Sequence, residues 1–111
     1  MLETQRTISD WAEKTFGPAN SNFRVAVRAN EEMAELLRAL AVDDDSPYAP
    51  LEIADVAIVL FRLADKMNRD LLAEVDMKMS INRARQWAPD GTGHGYHIEE
   101  GAVSAQNQSS R

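Results

Sequence analysis

One stretch of the sequence, residues 51–64, limits the possible folds more than any other. Eleven of its fourteen residues are apolar, and at about 100° per residue they cover almost the whole circumference of an α-helix. A helix that is apolar on nearly all sides is buried on most of them. The three remaining residues, Glu52, Asp55 and Arg62, fall within an arc of about 80° on a helical wheel. The stretch therefore predicts a largely buried helix with one narrow polar strip.

Glycine and proline divide the rest of the chain into segments of good helix formers. Apolar residues at helical spacing predict helices over residues 2–16, 22–42 and 51–67, and over about residues 70–87. No segment shows a convincing alternation of β-branched and polar residues, so the predicted fold class is all-α, a four-helix bundle. We expect residues 1–87 to form the domain. Residues 88–111, Gly-rich and then polar, are expected to form an irregular tail that is partly disordered.

Composition excludes several classes of protein. The chain has 111 residues with 12 Lys and Arg against 18 Asp and Glu, a net charge of −6, and no basic run that would bind a nucleic acid polymer. It has no apolar stretch of about 18 residues and no secretory leader, so we expect no membrane association and a cytoplasmic location. Since the chain has no cysteine, disulfides, Cys-ligated zinc and a thiol nucleophile are excluded.

The helix over residues 51–67 also bears on assembly. A domain of this size buries a modest fraction of its surface. The apolar circumference of this helix exceeds what three short neighbours readily cover. We therefore predict a homo-oligomer, a homodimer or homotetramer, with this helix near the subunit contact.

Two predicted helices each carry acidic residues on one face. Burying the carboxylates of Glu52 and Asp55 costs several kcal/mol unless they are paired or hold a metal, although both also suit the first turns of a helix electrostatically. Glu31, Glu32 and Glu35 fall within about 100° of arc on the preceding helix, a face equally typical of a solvated helix with Arg–Glu pairs. Together, two facing carboxylate pairs at i, i+3 suit Mg²⁺ or Mn²⁺.

Other metals fit less well. Di-iron bundles use Glu-x-x-His pairs, whereas the residues three positions after Glu32 and Glu52 are Glu35 and Asp55. Zinc prefers histidine or cysteine ligands. The chain's two histidines, His94 and His97, lie in the Gly-rich stretch, and we interpret them as ordinary loop residues.

The acidic pattern resembles a family signature. Glu31-Glu32-x-x-Glu35, followed by Glu52-x-x-Asp55 in an apolar helix, is similar to the motif of the MazG-like all-α nucleoside triphosphate pyrophosphohydrolases. The resemblance covers residues 9–87. It includes an aromatic-bearing first helix, residues 11–16, and the basic and amide positions of the last helix, here Lys78, Asn82 and Arg85.

The resemblance implies Mg²⁺-dependent hydrolysis, with Mn²⁺ as an alternative ion. Attack of water on the α-phosphorus would convert a nucleoside or deoxynucleoside triphosphate to the monophosphate and pyrophosphate. The implied biological role is house-cleaning of the nucleotide pool. It also implies residue roles. Glu31 would be catalytic, helping a second ion or orienting the water; the metal ligands would be Glu32, Glu35, Glu52 and Asp55; and the substrate contacts would be Lys78, Asn82, Arg85 and Trp11.

Several alternatives stay open from the residues alone. Trp11, Phe16 and Phe23 are candidates for stacking on the base, although aromatic residues at helical spacing are more often core. Lys78 and its neighbours equally suit a surface salt-bridge strip with Glu74. For the whole chain, the alternatives are a non-catalytic helical module that binds a nucleotide or a protein, and a phosphoribosyl-ATP pyrophosphohydrolase.

Overall fold

The structure is a computed structural model that describes residues 2–99. Its elements in chain order are α1 (Gln5–Phe16), α2 (Asn22–Val42), α3 (Ala49–Lys66), α4 (Leu71–Ala84), β1 (Gln86–Pro89) and β2 (Gly95–Ile98). The all-α class and the four predicted helices are confirmed. The chain divides into two compact units, Met1–Ala73 and Glu74–Arg111. Across residues 2–99, every helix falls short of the length and apolarity that a membrane crossing needs.

Local sequence fixes the ends of α1 and the start of α2. Thr4 and Thr7 form a capping box, in which the Thr4 hydroxyl oxygen accepts from the Thr7 N–H at 3.1 Å. α1 ends at Gly17, whose φ of 77° favours glycine. α2 begins where the Ser21 hydroxyl oxygen accepts from the Arg24 N–H at 3.0 Å. These caps define the short loop that joins the two helices.

In the first unit, α3 packs against both α1 and α2. The most buried apolar side chains are small, namely Ala12, Val25 and Ala49. Polar contacts add to this packing, since the buried Ser9 hydroxyl on α1 donates to Asp65 Oδ2 on α3 at 2.7 Å. Removing one partner of a buried hydrogen bond destabilises the fold, because the remaining polar group stays buried without a partner. The pair therefore fixes how α1 lies on α3.

The prediction that α3 is largely buried is wrong for a single chain. Within α3, all of which the structure describes, Ala49 alone is buried, whereas Leu51 is 71% and Ile53 is 55% exposed. The reason is geometric: α1 and α2 cover only part of the circumference of α3 in this unit, and Leu51, Ile53 and Leu60 are left exposed. Association with a second copy would cover these apolar side chains, and the predicted homo-oligomer stays a prediction.

An antiparallel hairpin that the sequence analysis does not predict follows α4. β1 pairs with β2 from Gln86 opposite Ile98 to Pro89 opposite Gly95. The Asp90 carboxylate accepts hydrogen bonds from the N–H and the hydroxyl of Thr92 at 2.8 and 2.7 Å, and Gly91 has a φ of 89°. Such a turn joins two strands tightly. The expected irregular tail is therefore corrected at residues 88–89, which belong to β1, and at Gly95–Ile98.

Two further expectations concern the C-terminal part of the chain. His97 lies in β2, 5.9 Å from the ring centroid of Trp87, rather than in a loop. His94 precedes β2 in the turn, as expected. The predicted domain boundary after residue 87 stays a prediction, and the predicted disorder of the last residues falls on positions 100–111, outside the described residues.

Candidate active site

Two helices bring three carboxylates to one point. Glu32 on α2 and Glu52 and Asp55 on α3 each offer a carboxylate oxygen, and these oxygens lie within 4.8 Å of one another. The i, i+3 spacing places Glu52 and Asp55 on one face of α3, and the packing of α2 on α3 brings Glu32 to that face. Three of the four predicted metal ligands therefore converge.

The cluster fits a hard divalent cation. The Glu52 Oε2 atom is buried and has no hydrogen-bond partner among residues 2–99. A buried carboxylate oxygen without a partner is costly, and a cation at this point would relieve that cost. The donors are all carboxylate oxygens, which suit Mg²⁺ and Mn²⁺ rather than soft metals. The residues present therefore fit the predicted ion.

Glu32 dominates the electrostatics of the carboxylate cluster, because it is only 7% exposed. Burial raises the pKa of its carboxyl above the ordinary value, and the charges of Asp55, Glu35 and Glu52 raise this pKa further, against the opposing effect of Arg28. Glu35, the fourth predicted ligand, is exposed and lines the adjoining cleft. The site therefore concentrates negative charge around one buried oxygen donor.

Arg28 is a site residue that the sequence analysis did not single out. Its Nη2 atom contacts Glu32 Oε2, and its Nη1 atom lies 3.2 Å from Glu31 Oε1. The hydrogen bond to Glu31, with the nearby acidic charges, raises the pKa of the Arg28 guanidinium. Glu31 itself is about half exposed and is not among the cleft-lining residues of the described chain. Arg28 precedes Glu32 by four residues in the sequence, and this i, i+4 spacing is a signal that could have identified it.

A cleft of about 780 Å³ adjoins the carboxylates, within the first unit. Its lining includes Glu32, Glu35 and Asp55 together with the aromatic rings of Trp11 and Phe16. These two rings meet edge to face with centroids 5.4 Å apart, and both are more than half exposed. An exposed aromatic ring beside a metal-binding cluster is suited to stacking on a nucleotide base. Trp11 therefore lines the cleft, and its contact with substrate stays a prediction.

The third aromatic candidate lies elsewhere. Phe23 is 78% exposed and does not line the cleft formed by the described residues. Asn20, three residues after Gly17 in the loop that follows α1, also lines the cleft. The structure therefore favours Trp11 and Phe16 over Phe23 for stacking.

Arg62 on α3 holds the end of α1 against the cleft. Its Nε and Nη2 atoms donate to Glu13 Oε2 at 3.2 and 2.9 Å, and Nη2 also donates to the Gly17 carbonyl oxygen at 2.9 Å. Its guanidinium carbon lies 6.0 Å from the Phe16 ring centroid, within the range of a cation–π contact. Arg62 therefore fixes the segment that carries the aromatic wall.

The basic and amide candidates belong to the second unit. Lys78 and Asn82 lie on α4, and Arg85 is the first residue beyond it, because the helix ends at Ala84. The prediction that all three lie on the last helix is therefore corrected for Arg85. The Asn82 carbonyl oxygen accepts a hydrogen bond from Trp87 Nε1 at 2.8 Å. Substrate binding by the three residues stays a prediction.

Helical fold, converging carboxylates and aromatic cleft together define a metal-binding nucleotide hydrolase. A scan against models of known protein families found no match. The chain is 33% identical over 101 residues to a dATP/dGTP diphosphohydrolase of cyanophage S-2L, covering 88% of each protein. It is also 33% identical over 101 residues to a dATP/dGTP diphosphohydrolase of Salmonella phage PMBT28, but spans only 32% of that longer protein.

A solved structure agrees with these relatives. It is a cyanophage S-2L MazG-like pyrophosphohydrolase bound to dGDP and three catalytic Mn²⁺ ions per active site. It matches this chain with a TM-score of 0.69 and 31% identity, over 86% of this chain and 90% of the other. The chain belongs to the MazG-like nucleotide pyrophosphohydrolases.

Proposed function

We propose that this protein hydrolyses a purine deoxynucleoside triphosphate to the monophosphate and pyrophosphate, with Mg²⁺ or Mn²⁺ as cofactor. The observation that carries the proposal is the convergence of Glu32, Glu52 and Asp55 beside the cleft that Trp11 and Phe16 line. The dATP/dGTP activity in the names of two relatives supports a purine deoxynucleotide. We further propose a cytoplasmic role in clearing the nucleotide pool.

The reaction needs positioning and charge neutralisation more than covalent chemistry. Water attacks the α-phosphorus, the bond from this phosphorus to the α,β-bridging oxygen breaks, and pyrophosphate leaves. A bound divalent ion would neutralise phosphate oxygens and lower the pKa of the attacking water. Glu32, Glu35, Glu52 and Asp55 would hold the ion. Glu31 is our candidate for orienting the water.

The other residues would hold the substrate. Trp11 or Phe16 would stack on the base while the other ring contacts its edge, and the Arg62 contacts to Glu13 and Gly17 would keep these rings in place. Base stacking on an aromatic residue contributes about 1–3 kcal/mol. Lys78 would balance phosphate charge, as the family resemblance implies.

One experiment tests the activity and its regiochemistry. The protein is incubated with each ribo- and deoxynucleoside triphosphate and Mg²⁺ or Mn²⁺ in ¹⁸O-labelled water, and products are identified by ³¹P NMR and mass spectrometry. We expect monophosphate and pyrophosphate from the purine deoxynucleotides, with the label in the monophosphate. Diphosphate with phosphate, or label in pyrophosphate, would contradict the proposal. Metal-dependent binding without turnover would favour the non-catalytic module.

We also propose that the protein is a homo-oligomer. Exposed apolar side chains on α2 and α3 support the proposal, with Leu37 61%, Leu51 71% and Ile53 55% exposed. A subunit contact that covers large exposed apolar side chains would remove them from water. Sedimentation velocity at micromolar concentration should give a dimer or larger assembly, and Ile53→Asp should dissociate it. A monomeric wild-type protein would contradict this part of the proposal.

A further inference from the structure

Three arginines line the cleft, and their partners differ. Arg62 is occupied by Glu13 and the Gly17 carbonyl oxygen. Arg24 forms no ion pair with any residue between positions 2 and 99. Arg28, one helical turn after Arg24, contacts the carboxylates of Glu31 and Glu32. Arg28 therefore stands apart, because it pairs directly with a proposed metal ligand.

The pairing joins a half-exposed cation to a buried anion. The Arg28 side chain is 52% exposed, whereas the Glu32 side chain is 9% exposed. The guanidinium therefore reaches from the solvent side over the buried carboxylate. The other charges close to Glu32 are those of Glu35, Glu52 and Asp55, all negative. Arg28 thus supplies the positive charge that the acidic cluster requires.

A divalent ion on Glu32 would compete with this arrangement. The Glu32 Oε2 atom that contacts Arg28 belongs to the carboxylate that joins the 4.8 Å cluster with Glu52 and Asp55. Two cations cannot share so small a space without strong repulsion. Binding of the ion therefore favours a position of the guanidinium away from Glu32, and the open cleft that Arg28 lines provides one.

We propose that Arg28 is an exchangeable counter-ion that becomes a substrate ligand. In the metal-free protein it neutralises Glu31 and Glu32. When the divalent ion binds Glu32, the Arg28 guanidinium leaves this carboxylate and binds phosphate oxygens of the nucleotide in the cleft. The planar guanidinium fork matches two phosphate oxygens. The inference rests on the proposed function for the identity of the ligand. Exchange at Glu32 is independent of turnover.

The proposal predicts opposite effects on two ligands. Removing Arg28 removes a competitor of the metal but also a ligand of the nucleotide. Arg28→Ala should bind Mn²⁺ about threefold or more tightly than the wild type, and should bind a nucleotide about tenfold more weakly, the loss expected for a charge-assisted pair. Arg28→Lys keeps the charge without the fork, so its Mn²⁺ affinity should stay within about twofold.

Two binding measurements on the full chain provide the test. Mn²⁺ affinity without nucleotide comes from the electron paramagnetic resonance signal of free Mn²⁺. Nucleotide affinity comes from calorimetry at saturating Mn²⁺ with α,β-methylene dGTP. This analogue cannot be cleaved between the α- and β-phosphorus. Arg24→Ala is the matched control, since it removes the same charge from the same helix and cleft without breaking a carboxylate contact. Circular dichroism confirms that each variant is folded.

The outcomes separate the inference from the proposed function. Tighter Mn²⁺ binding in Arg28→Ala than in Arg24→Ala, with weaker analogue binding in Arg28→Ala and Arg28→Lys, supports the inference. Unchanged or weaker Mn²⁺ binding in Arg28→Ala overturns the exchange, and unchanged analogue affinity overturns the phosphate contact. A wild type that binds Mn²⁺ and the analogue but hydrolyses no nucleotide refutes the proposed function alone.

Discussion

A carboxylate oxygen of Glu32 on α2 lies within 4.8 Å of a carboxylate oxygen of Asp55 on α3. The helix-to-helix contact therefore places two like charges at the distance that a shared cation bridges, with Glu32 buried and Asp55 exposed. Such an arrangement is unfavourable alone and favourable around a divalent ion. We therefore expect this pair to hold a metal ion.

Glu32→Gln and Asp55→Asn should each lower kcat/KM by about 100-fold or more, because each removes an oxygen ligand from an ion that stabilises transition-state charge by several kcal/mol. Both variants should fold, since removing a charge from an acidic cluster relieves repulsion. Steady-state kinetics and circular dichroism are the measurements. Asp44→Asn, in the loop between α2 and α3, is the control with expected wild-type turnover. Near-normal turnover of either site variant would refute the ligand assignment.

Divalent metal should stabilise the fold through the same carboxylates. At an ion concentration about 100 times the dissociation constant, Mn²⁺ should add about 2.7 kcal/mol to the free energy of unfolding, measured as a rise in thermal midpoint by calorimetry. Glu52→Gln should lose most of this gain, because Glu52 Oε2 is the buried oxygen without a partner. Sodium chloride at equal ionic strength is the control. An equal rise with sodium would assign the effect to screening.

The metal-free protein should lose stability as pH rises through the pKa of Glu32. Burial raises this pKa above the ordinary value of 4.5, so the native state holds the proton more tightly than the unfolded chain. The resulting stabilisation is complete below the unfolded pKa and is lost as pH rises through the native pKa. In a chelator, the thermal midpoint of wild type should therefore fall relative to Glu32→Gln over this range. Parallel pH profiles for the two proteins would contradict the prediction.

Trp11→Ala should weaken nucleotide binding, because the cleft then loses one of the two aromatic rings that line it. We expect a rise in KM of about tenfold, within the 1–3 kcal/mol typical of base stacking, and a smaller change in kcat. Phe23→Ala is the matched control, since Phe23 is more exposed than Trp11 and lies outside the cleft lining of the described chain. Equal effects of the two substitutions would remove Trp11 from the base site.

Lys78→Ala should chiefly raise KM, because a phosphate-binding lysine contributes charge to substrate affinity. The comparison is Arg83→Ala, another cationic residue of α4 that lies outside the family pattern. Michaelis constants for the preferred nucleotide at saturating Mn²⁺ provide the measurement. An unchanged KM and kcat in Lys78→Ala would place this lysine in the surface salt-bridge strip instead.

Features that depend on neighbouring residues in the chain were predictable from the sequence. The four helices and the i, i+3 pair of Glu52 and Asp55 follow from apolar periodicity and helical geometry. The hairpin was missed although an Asp90-Gly91 dipeptide marks its turn, because its short strands show no clear alternation.

Contacts between distant residues needed the tertiary structure. Sequence alone placed Glu31, Glu32 and Glu35 on one broad face, but the packing of α2 on α3 buries Glu32 and leaves Glu31 exposed beside Arg28. The bond from Arg62 to Glu13 likewise depends on how α1 lies on α3. Helical periodicity fixes the directions of side chains around one axis, whereas the distance and angle between two axes arise from the packing of all their contacting side chains.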